Sequence, residues 1–380
     1  MNKTELAQNY SVPELKYYIL HSLGGNPNHM KKLKYKDQLV QYAYTRQKMT
    51  KEEEREGQGP SKKQKTTDAG ASLDVQDKDG ETALHRAVLF KSDVKVKDLI
   101  RRGANLDVQA KDGDTALHEA AYKGYDEIAK ALIDAGAKLN LQNKDGETAL
   151  HWAVKRGHDE IAKALIDAGA NLDVQDKHGE TALHQAVLRD DEGAVKALID
   201  AGADLNVQNE DGETALYLGV YREDEGIVKA LINARANLDI RDTTCGQTAL
   251  YQAVVGQNEG IVKALIDARA DLDITDDMGT TALKWVVMKG YEIAKVLIDA
   301  GADLNIADKH FGDTALKWAV KNRNEEIAEE LLIAGAETAV LTSLTGEEMV
   351  WLEDRKRIAD SRIDEVLNQT FVKSNKNEDE

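Results

Sequence analysis

Gly146-Glu147-Thr148-Ala149-Leu150-His151 is one copy of a phrase that recurs through most of this 380-residue chain. Its glycine has counterparts at Gly80, Gly113, Gly179, Gly212, Gly246, Gly279 and Gly312. They lie 33 residues apart, except for 34 between Gly212 and Gly246. A fixed period in this range is the signature of a solenoid, whose units cannot bury their apolar faces alone and must stack. Such an architecture favours recognition along an extended surface over catalysis in a pocket.

The third copy reads as helix–turn–helix. Asp145-Gly146-Glu147 is a turn whose glycine supplies positive φ. Thr148 stands at the N-cap of a helix with Leu150, Ala153 and Val154 on one face, and Gly157 breaks it. His158-Asp159-Glu160 starts a second helix faced by Ile161, Ala164 and Leu165, and Gly169 ends it as a left-handed C′ residue. Leu172-Asp173-Val174-Gln175 then alternates, extended, into the next turn. The fold class is therefore all-α: a helical repeat solenoid with short β-hairpin tips.

The phrase resembles the ankyrin repeat in its period, its Thr-x-Leu-His, the glycine between helices and the terminal Gly-Ala. The array runs from about Asp77 to Glu337, and Asp68–Gln76 looks like the tail of a further repeat. The resemblance implies that the histidine orients the turn by hydrogen bonds. There are departures. The usual Thr-Pro-Leu-His is Thr-Ala-Leu in all eight copies. Histidine is kept at His85, His118, His151 and His184, then becomes Tyr217, Tyr251, Lys284 and Lys317. The C′ glycines give way to Arg235 and Arg269, where a left-handed side chain costs about 1–2 kcal/mol. Repeats five and six are expected to be the soft joint of the array.

Around the array we expect a small basic helical module at 1–47, a flexible charged linker at 48–67, the solenoid at 68–337, a capping helix at 338–370 and a disordered tail at 371–380. Ser11-Val12-Pro13-Glu14-Leu15-Lys16 and Lys36-Asp37-Gln38-Leu39-Val40 resemble the SAP motif, a small DNA-binding module. That resemblance implies phosphate contacts from Lys31, Lys32, Lys34 and Lys36.

Charge divides the chain. Residues 1–67 hold 13 basic and 7 acidic residues, while the remainder holds 37 and 61, so a head of +6 precedes a body of −24. The acidic body repels nucleic acid and anionic membrane and favours a basic protein partner. No apolar run reaches the roughly 18 residues of a membrane span. A soluble, intracellular, monomeric protein is expected, cytoplasmic or nuclear.

Chemistry finds little purchase. Equivalent histidines in stacked repeats lie about one helix diameter, roughly 10 Å, apart, so adjacent copies cannot share a zinc ion. Asp77-Lys78-Asp79-Gly80 lacks the outer ligands of a calcium loop, with Val75 and Arg86 in their places. No phosphate loop, nucleophile elbow or His-Glu-x-x-His occurs. Cys245 is alone. No cofactor, no metal and no enzymatic activity are expected.

In ankyrin proteins the tips and first helices form a concave binding face. Carried onto this chain, that face holds Phe90, Tyr122, Lys123, Trp152, Lys155, Arg156, Leu188, Arg189, Tyr221, Arg222, Trp285, Met288, Lys289, Trp318 and Lys321, with Met278, His310 and Phe311 on the late tips. Trp152, Trp285 and Trp318 occupy one position that elsewhere holds Arg86, Glu119, Gln185, Leu218 or Gln252. They read either as packing against the next repeat or as recognition anchors, since tryptophan dominates interface hot spots. The expected function is a non-catalytic scaffold or adaptor that binds a protein. The alternative is a nuclear, DNA-associated adaptor working through residues 1–47.

Overall fold

The computed structural model describes residues 73–287, 291–339, 341 and 344–376. All of these lie in one compact unit, Ser72–Glu380. The expected modules at 1–47 and 48–67, with Lys31, Lys32, Lys34 and Lys36, lie outside the described residues, as do Met288 and Lys289. The first helices of the eight repeats are α1 Ala83–Leu89, α3 Ala116–Lys123, α5 Ala149–Arg156, α7 Ala182–Leu188, α9 Ala215–Tyr221, α11 Ala249–Val255, α13 Ala282–Val287 and α15 Ala315–Lys321. The second helices are α2 Asp93–Arg101, α4 Asp126–Asp134, α6 Asp159–Asp167, α8 Glu192–Asp200, α10 Glu225–Asn233, α12 Glu259–Asp267, α14 Tyr291–Asp299 and α16 Glu325–Ile333. First helices pack on first helices and second on second, and leucines such as Leu84, Leu117, Leu150 and Leu183 form one continuous buried core.

Local chemistry sets the helix starts. Thr82, Thr115, Thr148, Thr214, Thr248 and Thr314 stand in extended backbone at the N-caps, and each side chain accepts an amide of the first turn. The tips are hairpin-like turns, but no strand occurs among the described residues. Each tip closes on itself, as in Asn143 N–H to Glu147 O at 2.9 Å, and meets the next through single backbone bonds such as Lys144 N–H to Asp112 O at 2.9 Å. A side-chain ladder does the rest. The Gln142 amide donates to Gly146 O at 2.8 Å in its own turn and to Gln175 O at 2.9 Å in the next repeat. Gly113 shows why the tip glycine is required: its φ is 88°, and a Cβ there would fall 2.7 Å from the Lys144 nitrogen.

Arg235 and Arg269 adopt the left-handed conformation, at φ 66° and 65°. Strain is more widely spread than these two sites, because Lys91, Asp190, Glu223, Gln257 and Arg323 take positive φ where Gly124 and Gly157 serve in repeats two and three. Repeats five and six each combine both strained sites. Replacing Arg235 and Arg269 with glycine is expected to stabilise the protein by about 1 kcal/mol each. Both side chains are exposed, so the substitution removes no packing. An unchanged urea midpoint in the double variant would contradict this.

The helix beyond the array, α17, spans Gly346–Lys376. Residues 371–376, expected to be disordered, are thus helical. Leu352 and Ala359 bury against the last repeat. Arg355 bridges Glu325 and Glu329 at 3.0 and 3.1 Å, and Arg362 bridges Glu329 and Glu330 at 3.2 and 3.0 Å.

Candidate functional site

The face built by the tips and first helices is organised by one buried position, three residues after the capping threonine. In the first four repeats it is histidine. The Thr148 amide donates to His151 Nδ1 at 3.1 Å, which leaves the proton on Nε2, and Nε2–H donates to Glu180 O of the next repeat at 3.1 Å. His85, His118 and His184 repeat this bridge at 3.1–3.2 Å. Burial is the main cause that lowers these histidines below their ordinary range, and His118 falls to about 4.

In repeats five to seven the partner changes from a backbone carbonyl to an aspartate of the next tip. The Tyr217 phenol bonds Asp242, and the Tyr251 hydroxyl donates to Asp276 Oδ2 at 3.1 Å. Burial, with these carboxylates behind it, pushes both phenols up. Lys284, only 3% exposed, pairs with Asp308. Lys317 belongs to the last repeat and turns back to Asp313 at 2.6 Å, which Lys321 also meets at 2.6 Å.

Above this buried row the aromatic residues fall into two centres. In repeats two and three, Tyr122 and Trp152 meet edge to face, with ring centres 4.9 Å apart. In repeats six to eight, Tyr251 and Trp285 lie 6.1 Å apart, and Lys284 Nζ sits 5.8 Å from the Trp318 ring. A cavity of about 220 Å³ opens here, walled by Tyr251, Met278, Trp285, His310, Phe311 and Trp318 with Asp276 and Asp308 beneath. Phe311 is 73% exposed and Met278 50%, so two large apolar side chains stand together at its rim.

A hidden insertion puts Phe311 there. The tip aspartate precedes its glycine by three residues at Asp276–Gly279 but by four at Asp308–Gly312. The equal spacing of Gly279 and Gly312 conceals this, because the preceding repeat is one residue short: Leu283 and Leu297 are 14 apart where Leu150 and Leu165 are 15. The longer tip closes from Asp308 N–H to Asp313 O at 3.2 Å, and Asp308 accepts the His310 and Phe311 amides at 2.8 and 2.6 Å.

Of the residues expected on this face, Lys123, Lys155, Arg156, Arg189, Tyr221, Arg222 and Lys321 are exposed. Phe90, Tyr122, Trp152, Leu188, Trp285 and Trp318 are half-buried. The three tryptophans pack against the core and are each only partly exposed. Tyr251, Lys284, Asp276 and Asp308 were not among the expected site residues. They belong to the wall because contacts 24–25 residues apart bring them there. No helix among the described residues is long and apolar enough to cross a membrane.

The family model for ankyrin repeats, in its three-copy form, matches residues 63–143, 135–209, 189–276 and 255–341. Among solved structures, the ankyrin repeat domain of Bcl-3, described as a unique member of the IkappaB protein family, is 30% identical. It matches over 58% of this chain and 99% of its own, with a TM-score of 0.53. No curated protein matches the chain significantly.

Proposed function

This chain belongs to the ankyrin-repeat family, and on that premise we propose that it is a non-catalytic scaffold binding a partner protein across its tips and first helices. The family and the likeness to an IkappaB-type ankyrin domain support a protein-interaction role. The observation that carries the choice of face is the exposure of two large apolar side chains, Met278 and Phe311, at the rim of the aromatic-walled cavity in repeats six to eight. An apolar cavity between charged tips suits one bulky side chain of a partner, held by aromatic walls. The net charge of −18 favours, at long range, a partner that is basic as a whole.

Affinity capture with the full chain, repeated with Trp285→Ala and Phe311→Ala combined, tests this. Loss of an aromatic anchor costs about 2 kcal/mol or more at a hot spot, so recovery of the specific partner is expected to fall at least about tenfold. Equal recovery by a variant with unchanged urea unfolding would overturn the reading.

A further inference from the structure

The ends of the first helices carry a cationic cluster that the acidity of the chain conceals. In repeats two to four it comprises Lys123, Lys155, Arg156 and Arg189, all exposed. Two are spoken for: Lys123 pairs with Glu119 at 3.5 Å and Lys155 with Glu147 at 2.7 Å. Downstream, Arg222 pairs with Asp190 at 2.5 Å. Arg156 and Arg189 make no ion pair among the described residues.

Both guanidiniums are nevertheless fixed in place. Arg156 stacks on the Tyr122 ring at 4.1 Å and lies 5.7 Å from that of Trp152. Arg189 donates to Lys155 O at 3.0 Å, at the C-terminal end of α5, where a cation is favoured by the helix dipole. It rests on Gly157, where a Cβ would fall 2.3 Å from its Nη2. Glycine thus serves twice, taking φ 70° and leaving a seat for the arginine. A stacked or carbonyl-bonded guanidinium has already lost much of its side-chain entropy, and its remaining N–H fork matches a carboxylate bidentately.

We propose that Arg156, on the Tyr122 ring, and Arg189, seated over Gly157, bind the carboxylates of an acidic segment of the partner protein. This rests on the reading of the first-helix face as the binding face and assigns its zones: a carboxylate site over repeats two to four and an apolar anchor site over repeats six to eight. The partner segment is then acidic at one end and apolar at the other.

The test measures fluorescence anisotropy of three labelled peptides of equal length with the full chain: Glu/Leu, Lys/Leu, and the first with phosphoserine in place of Glu. The Glu/Leu peptide is expected to bind more tightly than the Lys/Leu peptide. Arg156→Gln with Arg189→Gln is expected to weaken it about tenfold or more, and the paired Lys substitutions, which keep charge but lose the fork, to restore only part. Unchanged binding by the Gln variant, tighter binding of the Lys/Leu peptide, or binding of the phosphoserine peptide alone would each overturn the proposal. Lys/Leu binding that vanishes in the Trp285→Ala, Phe311→Ala variant would sink the carboxylate site while leaving the scaffold reading intact. If no peptide binds, the carboxylate site falls, and the capture comparison still decides the scaffold reading.

Discussion

Replacing Lys284 with Met is expected to destabilise the last repeats by about 3–5 kcal/mol, the cost of leaving one member of a buried ion pair alone. Lys284 and Asp308 are 3% and 8% exposed at the floor of the cavity, so little water reaches either charge. Burial alone pushes Asp308 up, but the Lys284 hydrogen bond and the Phe311 and His310 amides outweigh it and hold the carboxyl at about 2. Its contribution is therefore full above the ordinary aspartate range and is lost as pH falls towards 2. Lys284→Tyr is the informative companion. Tyr251 meets the equivalent aspartate of the next tip at 3.1 Å, so tyrosine is expected to recover most of the loss. Urea unfolding followed by tryptophan fluorescence reads both variants. Equal stability of Lys284→Met and the parent, or equal loss in both variants, would contradict the pairing.

The four histidines make the first half of the array acid-sensitive in a way the second half is not. His118 is 1% exposed, and burial holds it at about 4. A histidine whose folded pKa lies below its unfolded value contributes stability that is complete above about pH 6.5 and lost as pH falls towards the folded value. For His118 the full loss is about 3 kcal/mol, with about 2 kcal/mol appearing between roughly pH 7 and 5. Asp114 works against it: burial raises that carboxyl to about 6, so it gains stability over part of the same window. His118→Gln keeps Asp114, and comparing parent and variant across pH isolates the histidine. The variant is expected to lose about 2 kcal/mol less than the parent on acidification. Parallel pH profiles would show that the ring does not need to be neutral.

Much of the fold was legible because the phrase is local. Thr148 caps a helix through atoms three residues away, and Gly113 turns a tip through its own φ, so both follow from spacing. What the spacing hid is compensation and pairing. A Gly-to-Gly count sums the shortened stretch from Leu283 to Leu297 with the lengthened tip at Asp308–Gly312, and the two cancel. The change from His to Tyr to Lys looks in sequence like the decay of a motif. In three dimensions it is a change of partner, because Tyr251 and Lys284 reach aspartates of the following tip. The tryptophans were ambiguous for a physical reason: each is half-buried against the core, so it is at once core and surface.

Site-specific photocrosslinking tests the choice of binding face most directly. A photoreactive residue is placed at Tyr221 or Phe311 on the first-helix face, or at Lys163 on the second-helix face, all three exposed. The partner is predicted to crosslink from positions 221 and 311 and not from 163. Crosslinks confined to position 163, with an intact fold in every variant, would contradict the account.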